Sequence, residues 1–276
     1  MRDDKVNSVK MIEADLELPV YTVVPDFNYV NSRRFFAWDF CRWFGQRSRV
    51  SAPLSLDSLG KHYNIEVLAH PGAPYAEALR ALRTAVLLSK PEMVKVILIT
   101  SSTPAEGKST TGINLAATYA RAGVRTLFVE MDLRRPVIAS RMNLSSLHDG
   151  LSGILTGQLP PGWAISLPEI PNFKYIPGGR RTPFPYELLS SDVMKNQLSL
   201  WRSEYDVLIL DGPPVLAVAD SVMMAEQADL VLLITRFGET TTHSLQTAHL
   251  LLSRHLHGNL GVVLNAVPPN TEGYYD

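Results

Sequence analysis

The sequence is short of cysteine, of net charge and of long apolar runs, and each shortage excludes a class of protein. A single cysteine, Cys41, stands among 276 residues, so an internal disulfide framework is excluded and a reducing compartment is expected. The formal net charge is -1, so no global basic field indicates nucleic acid as a partner. No apolar run approaches the roughly 20 residues that span a bilayer, and no signal peptide is visible.

From about residue 71 onward, strand-like and helix-like segments alternate along the chain. Most of the strand-like segments are continuously apolar, which is typical of a sheet that is covered on both faces. We expect strands at 96–100, 126–131, 175–179, 206–210, 230–235 and 260–267, with helices at 109–121 and 241–255. The alternation predicts an α/β fold with a parallel sheet. We place this domain at residues 71–267, between a segment at 1–70 and a tail at 268–276.

The loop after the first of these strands carries a phosphate-binding pattern. It contains Gly-Lys108-Ser109-Thr110 and opens a helix, so its backbone N–H groups and the helix N-terminus can surround a phosphate. Lys108 would neutralise the outer phosphates of ATP, and the Ser109 hydroxyl would ligate Mg²⁺. The residues expected to contact ATP are Thr103, Pro104, Ala105, Glu106, Gly107, Lys108, Ser109 and Thr110. The fold class predicted is therefore α/β, a P-loop NTPase-type parallel sheet with helices on both faces.

The loop departs from the usual G-x-x-x-x-G-K-[ST] pattern. Ser102 stands where the first glycine is usual, and Ala105 stands where a glycine would ease a tight turn. A left-handed backbone at Ala105 would carry about 1–2 kcal/mol of strain. The alternative interpretation is a serine-rich turn that caps an ordinary helix. The strand before it, the helix after it and the acidic residues downstream favour the phosphate site.

Carboxylates follow two further strands of the predicted sheet. Glu130 and Asp132 end the second strand, and Asp211 ends the third. Parallel strands present their carboxyl ends along one edge of the sheet, which is also the edge that carries the phosphate loop. We expect Ser109, Asp132 and Asp211 to hold Mg²⁺ between them and a triphosphate. Each carboxylate could instead cap the following turn, an alternative that is close to even for Glu130.

Together these motifs resemble the bacterial tyrosine kinase (BY-kinase) family, the cytoplasmic half of Wzc- and CapAB-like polysaccharide co-polymerases. Residues 101–110 are similar to the family's Walker A segment, 130–136 to its Walker A′ segment, normally D-x-D-x-R, and 208–214 to its Walker B segment. The resemblance covers about residues 71–276. It implies an ATP- and Mg²⁺-dependent protein-tyrosine autokinase that regulates the chain length and export of an exopolysaccharide or capsule.

The resemblance also implies roles for single residues. Glu130 stands where the family has an aspartate that is thought to accept the tyrosine proton, and it would act with Lys108, Asp132 and Asp211 as catalytic residues. Asn265 would lie near the base of ATP, while Tyr274 and Tyr275 would accept phosphate in the site of another subunit. Because glutamate is longer than aspartate by one methylene, and a misplacement of about 1 Å can cost ~100-fold in rate, the kinase could be slow.

A predicted helix and the N-terminal segment suggest contacts outside the site. Glu77, Arg80 and Arg83 match the family's E-x-x-R-x-x-R, which implies the interface of a ring of identical subunits; the alternative is a solvated charged face. Aromatic side chains share one face of an expected helix at 33–47, and arginines surround them. This helix suits either an anionic membrane surface or docking on the domain, and we weigh the two equally.

Three functions remain open at this point. The first is a tyrosine autokinase at the inner face of the cell membrane, with a transmembrane polysaccharide chain-length determinant or activator and a tyrosine phosphatase as partners. The second is an ATP-switched assembly module of the same machinery with weak or no kinase activity. The third is a partitioning ATPase on the same fold. The sequence Ser-Thr-Pro-Ala at 102–105 lacks the extra lysine usual in that third family and argues against it.

Overall fold

The structure is a computed structural model, and it describes residues 4–26, 63, 65–89, 94–142, 144, 149–167, 170–256 and 259–268. The helix expected at 33–47 and the tail tyrosines Tyr274 and Tyr275 lie outside the described residues. In the part that is described, no helix combines the length and the apolar character that crossing a bilayer requires.

One sheet of eight strands organises the described chain, in the order β1-β8-β7-β2-β6-β3-β5-β4. The neighbouring strands are parallel except for β4 and β5, which are antiparallel. The strands are β1 Val20–Pro25, β2 Val96–Ser101, β3 Thr126–Glu130, β4 Ile165–Ser166, β5 Phe173–Ile176, β6 Val207–Asp211, β7 Leu230–Arg236 and β8 Asn259–Val267. The predicted P-loop NTPase-type α/β fold is confirmed, and the six predicted strands agree with β2, β3 and β5 to β8 within three residues at each end.

Helices cover both faces of this sheet. They are α1 Val9–Leu16, α2 Glu66–Ala69, α3 Pro74–Leu88, α4 Lys108–Arg121, α5 Ile138–Arg141, α6 Leu151–Leu155, α7 Pro185–Leu189, α8 Asp192–Glu204, α9 Asp220–Ala225 and α10 Thr242–Ser253. Strand side chains alternate between two apolar clusters. Leu98 packs on the side of Trp201 in α8, whereas Ile99 packs on the side of Leu79 in α3. Because both faces are buried, the strands can be apolar at every position.

The segment at 1–70 contributes to the same sheet. Strand β1 pairs in parallel with β8, and Val9 and Ile12 of α1 are buried in the apolar core. Farther upstream, the amide of Val6 donates to the carbonyl of Thr240 at 2.8 Å, and the amide of Gly238 donates to Val6 at 2.8 Å. The sheet therefore extends beyond the boundary we expected near residue 71.

Candidate active site

The loop between β2 and α4 contains two residues in the left-handed backbone region. Ala105 has a φ of 69° and Gly107 has a φ of 96°. The strain of about 1–2 kcal/mol anticipated for Ala105 is therefore present. At Gly107 an added Cβ would stand 2.1 Å from Nδ2 of Asn265, so this position has no room for a side chain. The loop thus depends on one glycine for both its backbone conformation and its contact with β8.

Glu106 supports the loop from within the protein. Its side chain is buried, with Oε2 accepting a hydrogen bond from the Thr103 amide at 2.9 Å and Oε1 accepting one from the Thr240 hydroxyl. The Asn265 amide donates to the carbonyl oxygen of Glu106 at 2.9 Å. Burial raises the pKa of Glu106, and the hydrogen bond from Thr240 opposes this shift. The sequence assigned Glu106 to ATP contact, whereas its carboxylate is bound by groups of the protein itself.

Lys108, Ser109, Asp132 and Asp211 converge at the carboxyl edge of the sheet. Nζ of Lys108 lies 3.8 Å from Oδ2 of Asp132 and 3.6 Å from Oδ1 of Asp211. The Ser109 hydroxyl donates to Oδ2 of Asp211 at 2.7 Å. β2, β6 and β3 are adjacent in the sheet, so three separate segments deliver these side chains to one place. The structure brings together these four of the residues that the sequence predicted for the site.

The Asp211 carboxylate lies in an environment that suits binding of a cation. Its side chain is 1% exposed, and burial raises its pKa while the charge of Lys108 and the hydroxyl of Ser109 oppose the shift. Its Oδ1 has no hydrogen-bond partner among the described residues. A buried acceptor beside a serine hydroxyl fits Mg²⁺. No group of three or more His, Cys, Asp or Glu side chains that could hold a metal occurs in the described chain, so phosphate oxygens would have to complete the coordination.

The Glu130 carboxylate is held by hydrogen bonds from the protein itself. Oε1 accepts hydrogen bonds from the amides of Val137 at 2.6 Å and Ile138 at 2.9 Å. Oε2 accepts from the amide of Gly178 at 2.9 Å and from the hydroxyl of Tyr175 at 3.2 Å. The residue is 1% exposed, and burial raises its pKa against the effect of the three amides. Both oxygens of this carboxylate therefore accept hydrogen bonds from the protein itself, and the catalytic role expected of Glu130 remains a prediction.

Two cavities border the phosphate loop. One of about 340 Å³ is lined by Tyr75, Thr110, Arg236 and Asn265, among others. The second, of about 650 Å³, is lined by Lys108, Asp132, Arg135 and Pro214, among others. Ser109 borders both cavities, so a ligand bound on the loop could extend into each of them.

Two arginines of the site were not predicted from the sequence. Arg141 of α5 donates to the Thr110 hydroxyl at 3.3 Å, and both Arg141 and Arg236 border the two cavities. Arg236 is the last residue of β7, a strand adjacent to β2. The rule that strand ends face the site could therefore have identified Arg236. Arg141 lies in a short helix outside the strands, and no sequence signal indicated it.

The charged residues of α3 make contacts within the chain. Nε of Arg80 donates to Oε2 of Glu77 at 3.0 Å, and Arg83 donates to the carbonyl of Thr118 in α4 at 3.3 Å. The Glu77 side chain is largely exposed, whereas that of Arg80 is only partly exposed. The ring interface expected of these residues remains a prediction.

Comparisons with known proteins give the chain its class and its family. A family model described as an AAA domain matches residues 94–254. The tyrosine-protein kinase ptk of Acinetobacter johnsonii is 32% identical over 269 residues, 95% of this chain and 33% of that protein. The tyrosine-protein kinase CpsD of Streptococcus pneumoniae serotype 4 is 32% identical over 198 residues, 72% of this chain and 87% of that protein. The kinase domain of the Escherichia coli tyrosine kinase ETK aligns with a TM-score of 0.76 and 27% identity, covering 95% of this chain and 96% of that domain.

The fold and the loop define a nucleotide-binding protein of the P-loop class. Within that class, the similarity to CpsD and to the ETK domain covers most of the chain. The chain belongs to the bacterial tyrosine kinase family, as its motifs indicated. It spans about a third of the length of the ptk kinase.

Proposed function

We propose that this chain is an ATP-dependent protein-tyrosine kinase whose acceptors are Tyr274 and Tyr275 of another copy of the chain. The observation that supports the proposal is the convergence of Lys108 with Asp132 and Asp211 beside the loop that follows β2. A cation, carboxylates and a ring of backbone amides are the groups that bind a triphosphate with its metal ion and position it for transfer.

ATP would lie along residues 103–110 with its outer phosphates at Lys108. The N-terminus of α4, a helix of 14 residues, adds its partial positive charge beneath them. The nucleoside would occupy the 340 Å³ cavity, which Asn265 lines, and Asn265 would contact the base. The 650 Å³ cavity then receives the terminal phosphate and the incoming tyrosine. Arg141 and Arg236, which border both cavities, would neutralise charge along the phosphate chain.

The metal ion has a defined set of protein ligands in this proposal. Ser109 and Asp211 would hold Mg²⁺, with Asp132 beside them, and the ion would offset negative charge on the phosphates during transfer. Lys108 already lies between the two aspartates, so it holds them together despite their like charge. The buried Oδ1 of Asp211, which has no hydrogen-bond partner among the described residues, supports this assignment.

Asp132, and not Glu130, is the carboxylate that we assign to the tyrosine proton. Asp132 borders the 650 Å³ cavity, and its Oδ1 accepts a hydrogen bond from the amide of Arg135 at 3.0 Å. That contact fixes the side chain while leaving Oδ2 near Lys108. Both oxygens of Glu130, in contrast, already accept hydrogen bonds. Phosphoryl transfer passes through a loose transition state, so positioning contributes more to the rate than a strong base does.

The wider setting is also part of the proposal and is supported by the family resemblance. The kinase would assemble as a homo-oligomeric ring at the inner face of the cell membrane, through α3 and its Glu77, Arg80 and Arg83. There it would act with a transmembrane polysaccharide chain-length determinant, and a tyrosine phosphatase would reverse the modification.

Mapping of phosphotyrosine after incubation with Mg-ATP tests the proposal. Purified chain is expected to carry phosphate on Tyr274 or Tyr275, detected by mass spectrometry, and the label is expected to disappear in Lys108→Met. A matched control is Lys195→Met, because Lys195 is an exposed cation on α8, where it pairs with Asp192. ATP binding without phosphotyrosine in the unmodified chain would contradict a kinase and favour the ATP-switched assembly module.

A further inference from the structure

Three arginines that follow the adjacent strands β3 and β5 have no evident partner among the described residues. Arg135 follows β3, while Arg180 and Arg181 follow β5, and all three are exposed. None of them has a carboxylate partner among the described residues. The neighbouring Arg134, in contrast, pairs with the buried Asp220 at 2.9 Å. This part of the sheet edge therefore presents positive charge that no carboxylate of the described residues pairs with.

The two segments that carry these arginines touch each other. A Cβ built on Gly178 would stand 2.9 Å from Cβ of Pro136, the residue that follows Arg135. Arg180 lies two residues beyond Gly178, so its Cα is within about 7.6 Å of the glycine Cα. Arginine side chains are long enough for groups on both segments to contact one short peptide.

A buried carboxylate holds both segments in place. Glu130 accepts hydrogen bonds from the amide of Val137 on one segment and from the amide of Gly178 on the other. Gly179 has a φ of 81° and packs against Gly150. A Cβ added to Gly179 would stand 3.1 Å from the nitrogen of Gly150. The arginines thus project from fixed backbone, which lowers the entropy cost of binding a flexible peptide.

We propose that Arg135, Arg180 and Arg181 form a docking surface for the acidic tyrosine segment, residues 270–276, of a second copy of this chain. The proposal rests on the kinase function proposed above and names how its substrate is recognised. Glu272 and Asp276 flank the two tyrosines, and no lysine or arginine follows Arg254. Arginine binds carboxylates with two parallel hydrogen bonds, so the charges of the segment and of the surface are complementary.

Exposed aromatic side chains follow Arg181 in the sequence. Phe184 is 61% exposed and Tyr186 is 45% exposed, and both lie within five residues of Arg181. Exposed aromatic rings beside arginines are the composition found at the centres of protein interfaces. They give the tyrosine rings of the segment an apolar contact that a purely charged surface would lack.

The order of the strands indicates that the segment comes from a second copy. Pro268 follows β8, which is two strand spacings from β2, about 10 Å, and five spacings from β5, about 24 Å. The chain's own Tyr274, six residues on, could reach Lys108 across about 20 Å. Its Glu272 would then lie on the β8 side of the pocket, away from Arg180. A segment arriving from another copy can approach from the β5 side and place Glu272 on the arginines.

A peptide of residues 268–276 tests this surface with the full-length chain. Arg180→Glu combined with Arg181→Glu is expected to raise the KM for peptide phosphorylation about tenfold at low salt, with kcat changed less than about twofold. A peptide with Glu272→Lys and Asp276→Lys is expected to reverse the preference, favouring the charge-reversed enzyme. Arg254→Glu, an exposed site beyond the end of α10, is the control and should behave like the unmodified chain.

Binding of the same peptide, labelled with fluorescein and followed by anisotropy, separates this inference from the kinase proposal. Weaker binding to the charge-reversed chain, rescued by the lysine peptide, supports the docking surface whether or not transfer occurs. Equal binding of the acidic peptide to both chains overturns it, even if phosphorylation proceeds. Absence of phosphorylation by the unmodified chain overturns the proposed function alone.

Discussion

Glu130→Gln provides a quantitative test of how the site is held together. Glutamine preserves size and one oxygen, so the hydrogen bonds from Val137 and Ile138 can persist. The new NH₂ group, however, faces the amide of Gly178, which then loses its acceptor and meets another donor. The Tyr175 hydroxyl can rotate to accept instead of donate, so its contact costs little.

The expected loss of folding free energy follows from these contacts. One buried amide left without an acceptor costs about 1–3 kcal/mol, so Glu130→Gln should destabilise the chain by that amount. Glu130→Ala leaves three amides without acceptors, two of them buried, and should cost at least about 2 kcal/mol. Both losses exceed the change of about ±0.5 kcal/mol that is usual for a substitution at the surface. Glu204→Gln, on the exposed end of α8, is the control and should show only a change of that size.

Urea unfolding monitored by circular dichroism measures these differences by linear extrapolation. The same samples should be assayed for phosphotyrosine, because the two roles considered for Glu130 give opposite results. A structural role predicts lost stability with residual phosphorylation in Glu130→Gln. If this variant were as stable as Glu204→Gln and yet failed to phosphorylate, the hydrogen-bonding argument would be refuted and Glu130 would be the base.

Three further predictions concern the phosphate loop and its metal. Gly107→Ala should abolish ATP binding in calorimetry, because the added Cβ would stand 2.1 Å from Asn265. Gly123 has a φ of 86° but open space around it, so Gly123→Ala is the control. It should bind ATP normally and lose about 1–2 kcal/mol of stability. Normal ATP binding by Gly107→Ala would refute this. Asp211→Asn should remove the Mg²⁺-dependent part of the ATP affinity, measured by titration with and without EDTA; an unchanged Mg²⁺ effect would show that the metal lies elsewhere. Burial raises the pKa of Glu106, so the folded chain binds its proton more tightly than the unfolded chain does. This group's contribution to stability is therefore greatest below its ordinary pKa of 4.5 and falls as pH rises toward the raised value; Glu106→Gln should flatten urea midpoints measured across that range, and an identical slope would contradict the assignment.

The site was predictable where a single topological rule applied. Asp211 is the last residue of β6, and Asp132 lies two residues beyond the end of β3. Lys108 lies at the end of the loop that follows β2. Parallel strands place their carboxyl ends along one edge of the sheet, so the prediction that the strands are parallel also predicts this grouping. The strands themselves were predictable because burial on both faces makes them continuously apolar, and such apolar runs are easy to locate in the sequence.

Other features depend on geometry that a sequence pattern does not contain. The direction of the Glu130 carboxylate is set by amides at Val137 and Gly178, and their distance from β3 depends on how two loops fold. Likewise, Glu106 lies inside the phosphate loop by sequence, but its partner Thr240 is 134 positions away. Strand β1 escaped prediction because its short run begins directly after Pro19 and ends at Pro25, which resembles an extended linker.

Strand β1 has a practical consequence for anyone who shortens this chain to its motif-bearing region. A fragment that starts at residue 71 would lack β1 and would leave the outer edge of β8 uncovered, with Val262 and Leu264 beside unpaired main-chain groups. Bare apolar strand edges recruit strands from other molecules. Such a fragment should aggregate or form spurious oligomers, so subunit stoichiometry should be measured on chains that retain the first 26 residues.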